Sequence, residues 1–165
     1  MQRGTGSAAV IGGLAGLAGG LTEVVWIWVY ATWTGGDAGE VARAVTDAVG
    51  FGGQSVSPAA GGIAIHMGLA VLLGLGLAFV LSSIGGLLSG IGVYATVIAA
   101  LAIVWSVNFI FVLPLISPQF VQIVPYGVSF ISKLLFGVAA ALLFRSESTR
   151  LNSSHIQKSR MPSSA

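Results

Sequence analysis

The sequence predicts an all-α integral membrane protein: an antiparallel four-helix bundle with a short surface helix in its first extracytoplasmic loop. Three observations support this fold class. Hydrophobic residues make up 55% of the 165-residue chain and charged residues only 7%, whereas soluble domains have about a quarter charged residues. Four segments are long and apolar enough to cross a bilayer, which takes about 20 residues. The chain has no Cys, which excludes a disulfide scaffold or a thiolate metal site.

The four predicted spans lie within a membrane domain formed by residues 1–147. They cover about residues 8–33, 59–83, 90–114 and 121–145. Turn-forming sequences separate them at Thr34–Gly36, Ser82–Gly90 and Pro114–Pro125. The first apolar run could instead be a signal peptide, but it continues to Trp33 and no convincing A-x-A cleavage site closes it.

The basic residues near the span ends predict the orientation of the chain. Arg3 precedes the first span, Arg145 closes the fourth, and the loop between the first two spans is net acidic. By the positive-inside rule both termini are then cytoplasmic and the first loop lies outside. An aromatic belt at the outer membrane interface fits this orientation; it consists of Trp26, Trp28, Tyr30, Trp33 and Tyr126.

Two of the connections have features of their own. In the first loop, Asp37 and Glu40 form a capping-box pattern, and a helical apolar face follows at Val41, Val45, Ala48 and Val49. These residues predict a short helix lying on the outer membrane surface. The apolar connection Pro114–Tyr126 carries three prolines. It is predicted to break the helix and to be an interfacial connector or, alternatively, a lid over the bundle.

Residues 148–165 form a polar, Ser-rich tail that is predicted to be disordered. The tail resembles translated adaptor or vector sequence; the alternative is a genuine basic tail that binds the anionic inner leaflet. Without it the chain has 4 Lys or Arg and 5 Asp or Glu, a net charge of −1. The basic isoelectric point therefore belongs to the tail, and no nucleic-acid partner is expected.

Four polar residues inside the spans are the candidate site: Glu23, His66, Asn108 and Lys133. Because such residues are costly in hydrocarbon, they usually face the bundle interior. Three of them lie on stripes of small residues that mark helix contacts. The stripes are Gly12, Gly16 and Gly20 before Glu23; Gly62, Ala70, Gly74 and Ala78 around His66; and Ser129, Gly137 and Ala140 or Ala141 around Lys133.

The predicted depths allow the four residues to meet in one layer of the outer half of the membrane. At 1.5 Å per residue, Glu23 lies roughly 4 Å outward of its span centre, His66 and Asn108 roughly 7–9 Å outward, and Lys133 roughly at the centre. The predicted pairing is Glu23 with Lys133, because opposite charges offset each other's desolvation cost. His66 and Asn108 could complete the hydrogen bonding.

The chain carries no H-E-x-x-H, G-x-S-x-G or P-loop motif, so it is not predicted to be an enzyme and no cofactor or metal is expected. The order of its features resembles small uncharacterised four-span proteins of bacterial inner membranes. The residues that carry this resemblance are His66–Ala70, Trp105–Phe109, Leu113–Leu115 and Ser132–Gly137. The resemblance implies a multi-pass protein of the cell inner membrane but no activity.

Two functions remain open on the sequence. The first is a structural or accessory membrane component, whose partners are the lipid bilayer and either a second copy of the chain or a larger membrane complex. The second is a proton-linked transporter or channel for an ion or small solute, which uses the intramembrane Glu, His and Lys.

Overall fold

The computed structural model describes residues 3–54, 57–84 and 90–159. Across these ranges the chain is helical and forms no strand, which confirms the all-α prediction. The helices are α1 (Arg3–Thr34), α2 (Ala38–Ala48), α3 (Pro58–Ile84), α4 (Gly90–Ser106), α5 (Leu113–Ile116), α6 (Phe120–Ile123) and α7 (Tyr126–Ser159). A 3₁₀ turn at Gly52–Gln54 precedes α3, and a π-helical stretch at Val107–Val112 joins α4 to α5.

Four helical segments are long and apolar enough to cross a membrane, so the fold is that of a multi-pass membrane protein. They are Gly6–Thr34, Pro58–Ile84, Ile91–Ile116 and Tyr126–Ser146. Their number and order are those predicted, and most of their ends agree within one or two residues; the fourth begins five residues later. The predicted turn at Ser82–Gly90 lies partly outside the described residues, because residues 85–89 are not among them.

Helix α1 occupies the middle of the bundle and packs against α3 on one side and α7 on the other, while α4 packs on α7. Each of these pairs is antiparallel. Gly12 lies against Ala78 and Gly20 against Ala70, so α3 runs opposite to α1. The buried core combines small residues with a few large ones; it includes Ala15, Ala70, Leu77, Val97, Leu101, Phe136 and Ala140.

The predicted small-residue stripes are helix contacts in the structure. A Cβ placed on Gly12 would lie 2.8 Å from the Ala78 Cβ, and one on Gly20 would lie 2.6 Å from the Ala70 Cβ. At Gly74 a Cβ would collide with the backbone of α1 at Gly12 and Gly16. Such contacts bring two backbones together, which provides van der Waals attraction where lipid offers no hydrophobic driving force.

The surface helix α2 begins at the predicted N-cap. The Gly39 N–H donates a 2.7 Å hydrogen bond to Asp37 Oδ1, and Asp37 also pairs with Arg43 at 2.7 Å. The helix ends before Gly50, whose φ of 81° suits a residue without a side chain. It packs against the start of α3, where the Ala42 carbonyl contacts Gly62. Its most buried side chains are Ala44 and Thr46, whereas Val49, on the apolar face that is predicted to lie on the membrane, is exposed.

The third span continues past the predicted break at Pro114. Proline in an α-helix clashes with the carbonyl four residues earlier, but here a wider π-helical turn precedes it, in which the Leu113 N–H donates to the Asn108 carbonyl. The helix therefore accommodates Pro114 and ends at Ile116. The connection then forms α6, which packs against α2.

The disordered tail predicted for residues 148–165 differs from the structure, because the backbone stays helical as far as Ser159. No Gly or Pro interrupts this stretch, and extending an existing helix avoids the cost of a new nucleus. Residues 160–165 lie outside the described part of the chain. The adaptor origin of the tail stays a prediction.

Replacing Gly74 by Ala is expected to destabilise the α1–α3 pair, because the new methyl group meets backbone atoms that cannot move aside. The expected loss is about 1–3 kcal/mol, as for overpacked cores. Thermal unfolding in detergent, followed by circular dichroism, measures it. Gly76→Ala on the same helix is the control, since open space surrounds that position; equal losses in the two variants would contradict the packing.

The cap of α2 is expected to weaken at low pH. The Arg43 guanidinium beside Asp37 and the Gly39 N–H hold the pKa of the Asp37 carboxyl below its usual range, about 3.9 in free peptides. The stabilisation is thus complete above that value and is lost as the pH falls through the lowered pKa. The Gly39 amide chemical shift should report this titration. Asp37→Asn, which still caps a helix, should abolish it.

Candidate functional site

The candidate site is built on Glu23, a buried carboxylate near the middle of α1. Only 4% of its side chain is exposed. It lies three residues after Gly20 and four after Gly19, so it shares the helix face that packs closely on α3 and α7. An unpaired carboxylate in such a place would be neutralised or expelled. The partners of Glu23 therefore decide what the site can do.

Two neighbouring residues of α7 hold this carboxylate. Lys133 Nζ lies 2.8 Å from Glu23 Oε1 and 3.0 Å from Oε2, so the ammonium bridges both oxygens. The Ser132 hydroxyl donates a 3.0 Å hydrogen bond to Oε1. The structure thus contains the predicted pair of Glu23 and Lys133. This pair joins two residues that are 110 positions apart in the chain.

His66 approaches the same carboxylate from α3. Its Nε2 lies 3.5 Å from Glu23 Oε2. This nitrogen is buried and, among the residues that the structure describes, has no hydrogen-bond partner. The carboxylate of α1 is therefore flanked by one base from α7 and another from α3.

Asn108 is not brought into this cluster. It lies in the π-helical stretch, and the described contacts include no hydrogen bond from its side chain to Glu23, His66 or Lys133. The Trp105 indole N–H donates to Ser129 Oγ at 2.9 Å, which fixes the register of α4 on α7. With Trp105 level with Ser129, Asn108 lies three residues to one side of that level and Lys133 four residues to the other, which separates them by about 10 Å along the bundle at 1.5 Å per residue. Ser132 provides the hydrogen bond that Asn108 was predicted to make.

The surroundings of the cluster keep α1 and α7 in register. Phe136 is fully buried one turn after Ser132, and its ring centroid lies 5.4 Å from Lys133 Nζ. Its ring fits against Gly19, where a Cβ would come within 2.7 Å. On the other side of the ion pair, the Trp26 indole N–H donates to the Val128 carbonyl at 3.0 Å. The ion pair thus lies between two further α1–α7 contacts.

The cluster consists of one acid, two bases and one hydroxyl, all in the half of the spans that is nearer to α2. Such groups can hold or transfer a proton, because each lies within about one hydrogen-bond length of the carboxylate. Across the described residues, no three His, Asp or Glu side chains lie together as a protein metal site would require.

Sequence reasoning missed two contributors, Ser132 and Trp26. The signal for Ser132 was its place directly before Lys133, since adjacent helical residues can both reach a partner that lies between their two faces. Trp26 was predicted to belong to an interfacial belt. Its indole is half-buried and its N–H also bonds to α7, whereas Trp28 and Trp33 are exposed.

Comparison with known proteins adds nothing to this geometry. No protein-family model, curated protein or solved structure matches the chain. The argument for a function therefore depends on the contacts of Glu23 and on the helices that carry them.

Ser132→Ala is expected to lower the stability of the folded protein by about 1.5–3 kcal/mol, the range for a hydrogen bond to a charged group. The loss should appear in thermal unfolding in detergent. Ser106→Ala is the matched control, because the Ser106 hydroxyl bonds only to the Ala102 carbonyl of its own helix. A loss for Ser132→Ala no larger than that of the control would contradict its role at Glu23.

Proposed function

We propose that this chain is a structural or accessory component of a bacterial inner membrane, in which an intramembrane ion pair locks the helices together. The observation that carries the proposal is the bridging of both Glu23 oxygens by Lys133 Nζ within 3.0 Å. In the proposed orientation both termini are cytoplasmic, and α2 and α6 lie on the outer side.

The ion pair supports a locking role because of where its members come from. Helix α1 contributes the carboxylate, α7 the ammonium and the hydroxyl. Removing one member of a buried pair costs about 3–5 kcal/mol, since the other charge is left without compensation. A helix displaced from the bundle would bear that cost in hydrocarbon, so the pair favours one arrangement of α1 against α7.

The outward faces of the helices fit a lipid environment and leave room for membrane partners. Large apolar side chains are exposed along each spanning helix; examples are Leu14, Leu72, Ile103 and Leu142. These faces suit the bilayer, a second copy of the chain or another subunit of a membrane complex. The proposal assigns no enzymatic activity to the cluster.

Glu23→Gln should lower the stability of the folded bundle by about 3–5 kcal/mol, and adding Lys133→Met should restore part of the loss. A coupling of at least about 1 kcal/mol between the two changes is expected. Thermal unfolding of the two single variants and the double variant in detergent measures it. Glu40→Gln, at an exposed position on α2, is the control for removal of a carboxylate. If the losses of stability caused by the two changes are simply additive, the proposed stabilising ion pair is contradicted.

A second function, proton-linked transport, is favoured by one specific observation. The buried His66 Nε2 stands 3.5 Å from Glu23 Oε2 without a hydrogen bond. A base held beside a carboxylate in this way can accept a proton, and histidine titrates near neutral pH. Intramembrane acids and histidines commonly belong to proton pathways.

Transport would give a pH-dependent flux in liposomes that contain the purified chain, and Glu23→Gln should abolish the flux while leaving the protein helical. Protons themselves are the first solute to measure, with a pH-sensitive dye inside the vesicles. Asp47→Asn on the exposed side of α2 should leave the flux unchanged. Equal proton leak in vesicles with and without the protein would exclude proton transport.

A further inference from the structure

Two bases compete for one oxygen of the buried carboxylate. Lys133 Nζ is 3.0 Å from Glu23 Oε2, and His66 Nε2 is 3.5 Å from the same atom. Ser132 occupies only Oε1. Oε2 therefore lies between an ammonium of α7, which already contacts it, and a ring nitrogen of α3, which is close enough to do so after a small rotation of the ring.

The charges in this cluster limit how many protons it can hold. The titratable groups that face His66 are Glu23 from α1 and Lys133 from α7. With Glu23 ionised, one protonated base leaves the cluster neutral, whereas two leave a net positive charge among packed helices in the membrane. An uncompensated charge there is strongly disfavoured, so one base at a time carries the proton.

We propose that His66 is the reserve counter-ion of Glu23, so that a single proton is shared between Lys133 and His66 across the carboxylate. When Lys133 Nζ gives up a proton, it keeps the electron pair of the broken N–H bond. The His66 Nε2 lone pair forms a new N–H bond with a proton passed over Glu23 Oε2. The net charge of the cluster does not change, and no other reactant is consumed.

The distances support this division of roles. Lys133 Nζ contacts both Glu23 oxygens, at 2.8 and 3.0 Å, and is the resident partner. His66 Nε2 lies 3.5 Å from Oε2 without a hydrogen bond, and it is the second base. This role explains why His66 Nε2 has no hydrogen-bond partner among the described residues: it is the atom that accepts the proton. The inference rests on the Glu23–Lys133 pair of the proposed function but does not require transport.

The test is the protonation state of the His66 ring when Lys133 is removed. The full chain carries two histidines, so His155→Gln leaves His66 as the only one. Nitrogen NMR of the ¹⁵N-histidine-labelled protein in detergent micelles at pH 7 then reports its ring directly. The protonated fraction should rise from below about a tenth to above about nine tenths on Lys133→Met, because the carboxylate acquires His66 as its counter-ion. Adding Glu23→Gln should return the ring to its neutral form.

A neutral His66 ring in the folded Lys133→Met variant would overturn the proposal. Lys133→Gln is the second variant, because its amide still reaches Glu23 but carries no charge, and the same protonation of His66 is expected in it. If the effects of Glu23→Gln and Lys133→Met on thermal unfolding are coupled but the His66 ring is neutral, only the role of His66 as reserve counter-ion is rejected. Absence of that coupling, with a neutral ring, would reject both the lock and the reserve role.

Discussion

The carboxylate of Glu23 is the constraint on which the arrangement of the bundle depends. It lies within the membrane span of the most central helix, where an unpaired charge is strongly disfavoured. The charge of Glu23 is compensated by α7, on which Lys133 bridges both carboxylate oxygens and Ser132 adds a hydrogen bond. The position of α7 along α1 is therefore fixed by electrostatics as well as by packing, and Phe136 on one side and Trp26 on the other reinforce the same register.

The polar cluster depends on the close packing of the helix backbones. The glycines of α1 allow α3 to approach until backbones touch, and this approach carries His66 to within 3.5 Å of the carboxylate. Gly19 allows the Phe136 ring to lie beneath the ion pair. Larger side chains at these positions would hold α3 and α7 away and separate the charges. Small residues here thus serve the electrostatics of the site as much as the van der Waals contact between helices.

Much of this arrangement could be predicted from residue spacing. The apolar runs gave the spans, the four-residue recurrence of small residues gave the contact faces, and the rarity of charge singled out Glu23 and Lys133 as a pair. The place of Asn108 could not be predicted, because depth along a helix does not determine which neighbour that helix contacts; α4 packs on α7 and not on α1. Nor did the prolines alone reveal that a π-helical turn carries the third span past Pro114. Composition likewise failed over residues 148–159, where the polar sequence continues an existing helix.

The central claim is that Glu23 is ionised inside the membrane because Lys133 neutralises it. Infrared difference spectroscopy between the parent protein and Glu23→Gln in lipid at pH 7 tests this directly, because protonated and ionised carboxyl groups absorb at different frequencies. The ion pair predicts that the difference spectrum contains the carboxylate stretches of Glu23 and no protonated carboxyl stretch. A protonated carboxyl band assigned to Glu23 in the parent protein would contradict the account.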